Sequence, residues 1–578
     1  MKRSICKLAV LCIALAMLAL VVTACRGGGD TATDVQQPPP PTVAPEQGTP
    51  AATPEPADDS GIPAIMNPIG TLPIVNEPVT LSVFIGHNPG WDFTTNGATQ
   101  WFEEQTGVII EWEQVPNADI VDRRNLMLAT GDVPDILFST AGNHAAVFFN
   151  AQMGLFRPIT NYIDPFAPEL QRIFEQFPGI HDDMIMPDGH IYAFTAVDEC
   201  FHCTMPQKLW IYTPWLDALD LPMPTTYQEF FDTMIAFRDY MPGILGVPHV
   251  YPFVGATAAR NGIDVLITPF IPNVEGNRLL VDNGIVSPIY NTDQFRDGLR
   301  FINNMFNEGL IAAESFVQDS AGRRNMVENP GPPLVGSFPA MWIGGSVAMD
   351  IANQEGRWNG FRVVPPLAGP DGTATAVYVP LVGNNRAVIT RNLPEELMPV
   401  AVRWIDNFYT EMSALVSVQG IEGVNWRFAE PGEVGIHGGP ALWARMGTTD
   451  DIQNMTMTQA NPNFRDNHFR LGEVANREIV EQETLLFDMT MIQEPFRMRR
   501  DQIMPVVIFD EVQAAEVTDL QVGINAHVNE SIARFVVGDL DIESDWDWYV
   551  RELEVMGLQR FIQLQQNALN ERIARLGS

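Results

Sequence analysis

Five cysteines, nine histidines and 71 carboxylates are what this 578-residue chain has for metal, nucleophile or acid–base chemistry. Their spacing limits what they could do. Asp198-Glu199-Cys200-Phe201-His202-Cys203 puts two sulfurs and an imidazole within four residues. Such a run could begin a zinc site, but a closed site needs four ligands and no second Cys/His pair has matching spacing. A short-loop disulfide or two free buried thiols fits better. Gly344-Gly345-Ser346-Val347-Ala348 approaches the G-x-S-x-G elbow that exposes a hydrolase serine, with Ala348 where the last glycine belongs. Residues 539–547, DLDIESDWD, alternate like a calcium loop yet lack the glycine of its sixth position and the glutamate of its twelfth. Lysine occurs only at 2, 7 and 208, and Leu209 follows Lys208, which excludes a Gly-Lys-Ser/Thr phosphate loop. Carboxylates are too numerous for counting alone to exclude a glycosidase pair. The residues therefore lead to no expected metal, cofactor or catalytic group.

Cys25 has a different setting. It follows a basic start, MKRSICK, and fifteen almost entirely apolar residues, 8–22, enough for a signal-peptide core and short of the ~20 of a membrane span. Val22-Thr23-Ala24-Cys25 resembles a bacterial lipobox, in which the cysteine is diacylated and becomes the mature N-terminus. Two or three acyl chains suffice to hold a protein on a bilayer. Residues 26–76 lack apolar periodicity and are crowded with proline, as in PPPPTVAPEQGTPAATPEPADDSG. Such a segment cannot repay ordering by burial and is expected to be a solvated stalk.

About 500 residues remain, enough for two or more globular units. The formal charge of -37 repels nucleic acid and anionic membrane surfaces, and no later segment is apolar enough to span a bilayer. Strand and helix signals alternate. PVTLSVFI reads as a strand, residues 95–107 as a helix stopped by Gly107, and VIIEWEQV as the next strand. Thr225 or Thr226 can cap a helix with Gln228 or Glu229 three residues on. Phe295, Leu299, Ile302, Phe306 and Leu310 form one helical stripe. The chain is of the α/β class.

These elements carry a resemblance. ATGDVPDILFS, GLFRPITNYID, PDGHIYAF, LWIYTPWLDALDLPMPTTYQEF, YNTDQFRDGLRFINNMFNEGLI, FRVVPPLAGPDG, AVRWIDNFY and GIEGVNW occur in the order seen in family 1 extracellular solute-binding lipoproteins of bacterial ABC importers. The chain resembles in particular their large oligosaccharide-binding members, from residue 77 to the C-terminal DWDWYVRELEVMGLQRFIQ. The resemblance implies a type II periplasmic-binding-protein fold of two α/β lobes around a ligand cleft, 77–196 with 363–415 and 197–362 with 416–578, after a signal peptide (1–24) and linker (25–76). It also implies a monomer that captures an oligosaccharide, passes it to membrane permease subunits and does no chemistry. A surface glycoside hydrolase or a ligand-sensing lipoprotein would share the same export signal. Some relatives carry a calcium loop before the second-lobe strand, and FRDYMPGILGVPHV has no acidic run to serve as one.

Sugars present apolar C–H faces and polar rims, so the expected ligand groups are aromatics in irregular glycine-rich segments with short polar neighbours. These are Trp91, Trp342 and Trp426, with His87, Asn88, Asp92, Asn143 and Asn425. Trp426 is expected in an exposed loop, between a helix ending near Gln419 and a polar run from Glu430. Trp404 reads as core, and Trp546 and Trp548 as structural beside a Ser544–Asp547 capping box. Replacing Cys25 with alanine is expected to abolish acylation and release the protein into the medium. Palmitate labelling of the fractionated Cys25→Ala protein checks this, and a variant still labelled and membrane-bound would overturn the lipobox reading.

Overall fold

The computed structural model describes residues 61–576 apart from 258–261, 275, 277, 380–384, 448–451 and 458. Cys25, the apolar segment before it and the Pro-rich run up to residue 60 lie outside the described residues. Among the described residues no helix is long and apolar enough to cross a membrane.

The first sheet is ordered 108–116, 79–87, 136–138, 385–389, 193–195. Val79–His87 runs parallel to both Val108–Pro116 and Ile136–Phe138, while Asn385–Ile389 pairs antiparallel with Ile136–Phe138 and with Ala193–Thr195. Leu81, Val83, Phe84 and Ile85 are all buried, the pattern of a strand covered on both faces. The helix Gly97–Thr106 starts where the Asn96 side chain accepts from the Ala98 and Thr99 N–H groups. It stops at Gly107, whose φ of 73° favours glycine. Trp404 stacks on Phe138 at 5.5 Å inside this core, as its helical spacing predicts.

A second sheet is ordered 361–363, 209–212, 335–339, 251–253. Helix Tyr227–Leu245 begins with the Thr226–Glu229 capping box. Phe295, Leu299 and Ile302 of helix Asp293–Asn307 pack with Ile524, Val528 and Ile532 of helix Glu511–Val537 in the second core. Leu310 is buried too, three residues beyond its helix.

The sheets are joined at one kind of edge. In the first sheet the parallel strands end at His87, Pro116 and Phe138, where Asn385 starts and Thr195 ends. In the second sheet strands 251–253 and 335–339 are parallel and end beside the start of 209–212, as the Ala340 N–H to Lys208 carbonyl bond of 2.9 Å records. Residues 196–208 carry the chain from the first edge to the second, and it returns between Val363 and Asn385. The strand Val197–Asp198 pairs parallel with Phe464–Arg465, where the chain prepares to cross again toward helix Gln482–Met491. That helix packs with Trp210, Phe338 and Trp358 of the second lobe.

Three boundaries differ from those expected. The stalk does not run to residue 76, because Met66, Ile74 and Val75 are buried in the first core and Arg403 donates to the carbonyls of Asn67, Pro68 and Thr71. The departure expected near 416 falls later. Met457, Ala460 and Phe464 pack in the first core, and the Gly97 N–H donates to the Asn454 carbonyl. No Ser544–Asp547 box forms; the Asp541 carboxylate takes the Glu543 and Ser544 N–H groups instead, and helix Trp546–Val555 follows.

The first crossing is tightly held. Cys200 and Cys203 are joined by a disulfide, which resolves the two readings of that pair. Lys208 is fully buried and donates to the carbonyls of His202 at 2.7 Å and Met205 at 2.6 Å. Burial without a paired carboxylate pushes its ammonium down to about 7 from the ordinary 10.5. Between those values the unfolded chain holds the proton that the folded chain releases, so this group's contribution to stability rises with pH from about 7 upward. Its charged form costs stability below pH 7. Lys208→Met is therefore expected to flatten the urea midpoint against pH between about 7 and 10 relative to the parent. Parallel profiles for the two proteins would contradict this.

Candidate functional site

Ligands of open α/β sheets lie outside the carboxyl ends of the strands, so the two joined edges are where a site belongs. On the first edge, the loop after Val79–His87 brings His87, Asn88, Trp91 and Asp92 together. His87 Nδ1 lies 3.1 Å from the Asn88 carbonyl, and Asn117 Nδ2 donates to Asn88 Oδ1 at 2.8 Å. Trp91 is partly exposed, packs its apolar side on the first core, and its indole N–H has no hydrogen-bond acceptor among the described residues. Asp92 serves the turn: its carboxylate accepts from Gln114 Nε2 at 2.8 Å and the Thr94 N–H at 3.0 Å. These two bonds hold its carboxyl below the usual range.

The middle of this edge contains residues that sequence reasoning missed. Ser139, with φ 53°, donates to the Ala460 carbonyl at 2.8 Å and accepts from Arg386 at 3.0 Å. Gln459, with φ 61°, accepts from Arg465 at 2.8 Å. Left-handed backbone at non-glycine residues costs on the order of 1–3 kcal/mol each, and such strain tends to cluster at functional sites. Beside them the Thr140 hydroxyl, the Asn461 and Asn463 side-chain oxygens and Arg465 Nε are buried and make no hydrogen bond among the described residues. The polar QANPNFR run was a usable signal, but its one aromatic, Phe464, is a buried core residue and nothing local ties the run to Ser139. Asn143 borders this edge with its side chain spent on capping helix His144–Gln152, through the Ala146 N–H at 2.9 Å.

Trp342 stands on the second edge, just past strand Val335–Pro339, and is partly exposed. One side of its ring lies on Gly344, where a Cβ would come within 1.9 Å of the indole. Only glycine allows that approach. The elbow serine in the same turn is closed off: Ser346 is buried and its hydroxyl accepts from Arg323 at 2.7 Å. The second edge also has a cavity of about 390 Å³, bounded in part by Gln207, Thr257, Asp264, Arg278, Phe316 and Asn529.

Trp426 and Asn425 are not on either edge surface. Trp426 is 0% exposed, its indole N–H donates to the Gly420 carbonyl at 2.9 Å, and it packs with Leu415, Trp443 and Phe469. It begins the short strand Trp426–Phe428, paired with Trp443–Arg445, so the expected exposed loop is a covered hairpin. Asn425 is buried beside it, its side-chain oxygen accepting from the Ile421 N–H at 2.9 Å to close the turn. Cys200, His202 and Cys203 are the one trio among the described residues near enough to share a metal ion, and the disulfide occupies both sulfurs. Burial, then Arg470 and Lys208, push the His202 imidazole down to about 3, so it is neutral.

Two α/β lobes crossed more than once by the chain, with polar strand-end edges joined through the crossings, are the fold of periplasmic solute-binding proteins. No family model matches the chain. The chain is homologous to FusA, the fructooligosaccharide ABC transporter substrate-binding protein of Streptococcus pneumoniae, at 24% identity over 499 residues, 81% of this chain and 85% of FusA. The structure of FusA in complex with kestose matches with a TM-score of 0.69 at 20% identity, covering 86% of this chain and 100% of that one. Lipoprotein LipO of Bacillus subtilis is 23% identical over 342 residues, 57% of this chain and 63% of LipO.

A buried tryptophan replaced by alanine leaves a cavity worth ~3–5 kcal/mol. Trp426→Ala is therefore expected to lower the urea midpoint strongly while leaving affinity for a bound ligand within about twofold, because its ring touches neither edge surface. A normal midpoint with lost binding would return Trp426 to the site.

Proposed function

We propose that this protein is an extracellular receptor, held to the membrane by lipid on Cys25, that captures an oligosaccharide as a monomer and delivers it to the permease subunits of an ABC importer. The observation that carries the reading is one partly exposed indole on each of two joined edges, Trp91 and Trp342, in a chain homologous to FusA. Stacked rings offer planar apolar faces to sugar C–H groups, and closure of the lobes would present one from each side. His87 and Asn88, short hydrogen-bonding side chains, stand in the same loop as Trp91. The protein acts by binding alone, and the sealed Ser346 supports this against a serine-hydrolase reading.

Calorimetric titration with linear oligosaccharides, beginning with the kestose that FusA holds in its structure, tests the proposal. Saturable binding of one ligand per chain is expected, with the sugar recovered intact. Trp91→Ala and Trp342→Ala should each remove on the order of 1–3 kcal/mol of binding, the size of a desolvated aromatic hot spot. Both variants should unfold near the parent's urea midpoint, since each ring is already partly exposed. Sugar hydrolysed during the titration, or full affinity in both variants, would overturn the proposal.

A further inference from the structure

Trp342 stands on a turn that runs from the end of strand Val335–Pro339 to Ser346, and its indole lies back over Gly344 and Gly345 of that same turn. The angle of the ring is therefore set by the turn beneath it. A binding group is held in its working geometry only when the shell that supports it is itself held. We infer that Arg323 is the positioning residue for this ring: its buried guanidinium ties the two ends of the turn together and so fixes the angle at which Trp342 meets a guest. That the guest is a sugar rests on the carbohydrate reading above; the tie does not.

Arg323 lies in helix Ser320–Val327 and is 1% exposed. One terminal nitrogen donates to the Pro339 carbonyl, where the strand ends, and the other to the Ser346 hydroxyl at 2.7 Å, where the turn ends. The guanidinium carbon is 5.5 Å from the centre of the Phe338 ring, on the strand just before the turn. A planar fork of donors spans two acceptors at a fixed angle, which an ammonium on a flexible stem does not. Arg324, the next residue, donates to the carbonyl of Gly344, on which the indole rests, at 3.4 Å. The Glu328 carboxylate takes the Ala348 N–H just past the turn. The turn is thus held at its start, its middle and its end from one short segment.

Stability alone does not account for an arginine here. Arg323 has no carboxylate partner among the described residues, and its Nε is buried with no acceptor among them. Burial pushes the guanidinium down to about 10 from the ordinary 12.5. A buried cation without a counter-charge adds less to stability than an apolar side chain that fills the same space. Val327, Phe338, Ile343 and Val347 already pack into one core around the turn. What the guanidinium adds is a fixed separation between two acceptors, one on each side of Trp342 in the chain.

Fluorine NMR and affinity measurements together test the inference. The full chain is labelled with fluorotryptophan, and the Trp342 resonance is assigned as the one missing from Trp342→Phe. In the ligand-free protein, Arg323→Lys and Ser346→Ala are each expected to shift or broaden that resonance while the resonance of Trp404, in the first core, stays in place. A loss of stability with no positioning role would leave the Trp342 resonance where it is. For any oligosaccharide the parent binds, Arg323→Lys should lose about fivefold in affinity, and combining it with Trp342→Ala should lose nothing beyond Trp342→Ala alone, since it acts through that ring. An unmoved Trp342 resonance in Arg323→Lys, or affinity losses that add in full, would overturn the inference. If Arg323→Lys melts early, Ser346→Ala takes its place in both measurements, with the same outcomes deciding. If the parent binds no oligosaccharide, the carbohydrate reading falls, and the Trp342 resonance alone decides whether Arg323 sets the ring.

Discussion

The arrangement of both lobes depends on Asp198, a buried carboxylate held between two guanidiniums. Arg465 and Arg470 both donate to it, the latter at 2.9 Å, and all three residues belong to the crossing segments. Burial alone would raise this carboxyl, but the two arginines outweigh it and keep it below its ordinary range. Such an ion triad adds little net stability over a well-packed apolar one, yet removing any one member leaves buried charge uncompensated. It therefore fixes geometry more than it adds stability. With the Val197–Phe464 pairing and the Cys200–Cys203 disulfide, it makes the first and third crossings one structural piece.

From that piece the two edges diverge, and along the first edge the polar groups are used in two ways. Asp92 and Asn143 have their side chains committed to a turn and a helix cap. Thr140, Asn461, Asn463 and Arg465 keep at least one polar atom without a hydrogen bond among the described residues. A buried group left so costs roughly 1–3 kcal/mol, and Ser139 and Gln459 add strained backbone in the same place. Rigid crossings allow that expense to be concentrated on one edge without the sheet rearranging to relieve it.

What the sequence reveals follows the range of the interaction. The Thr226–Glu229 capping box, the stripe of Phe295, Leu299 and Ile302, and Trp404 were legible because each depends on neighbours three or four positions away. Trp426 was misjudged because its glycine-rich surroundings do look like a loop; Trp443 and Phe469, far along the chain, are what bury it. The end of the stalk was hidden for the same reason, since residues 62–76 become ordered only against the first core and the distant Arg403. The Ser139, Arg386 and Gln459 cluster draws on three separate segments, so no local pattern could announce it.

The Arg403 contact has a mechanical meaning. Its guanidinium grips the carbonyls of Asn67, Pro68 and Thr71, and Arg403 belongs to helix Met398–Asp406 in the middle of the first core. A pull on the chain at residue 61 would thus reach the first lobe before the second, through several hydrogen bonds to one buried helix.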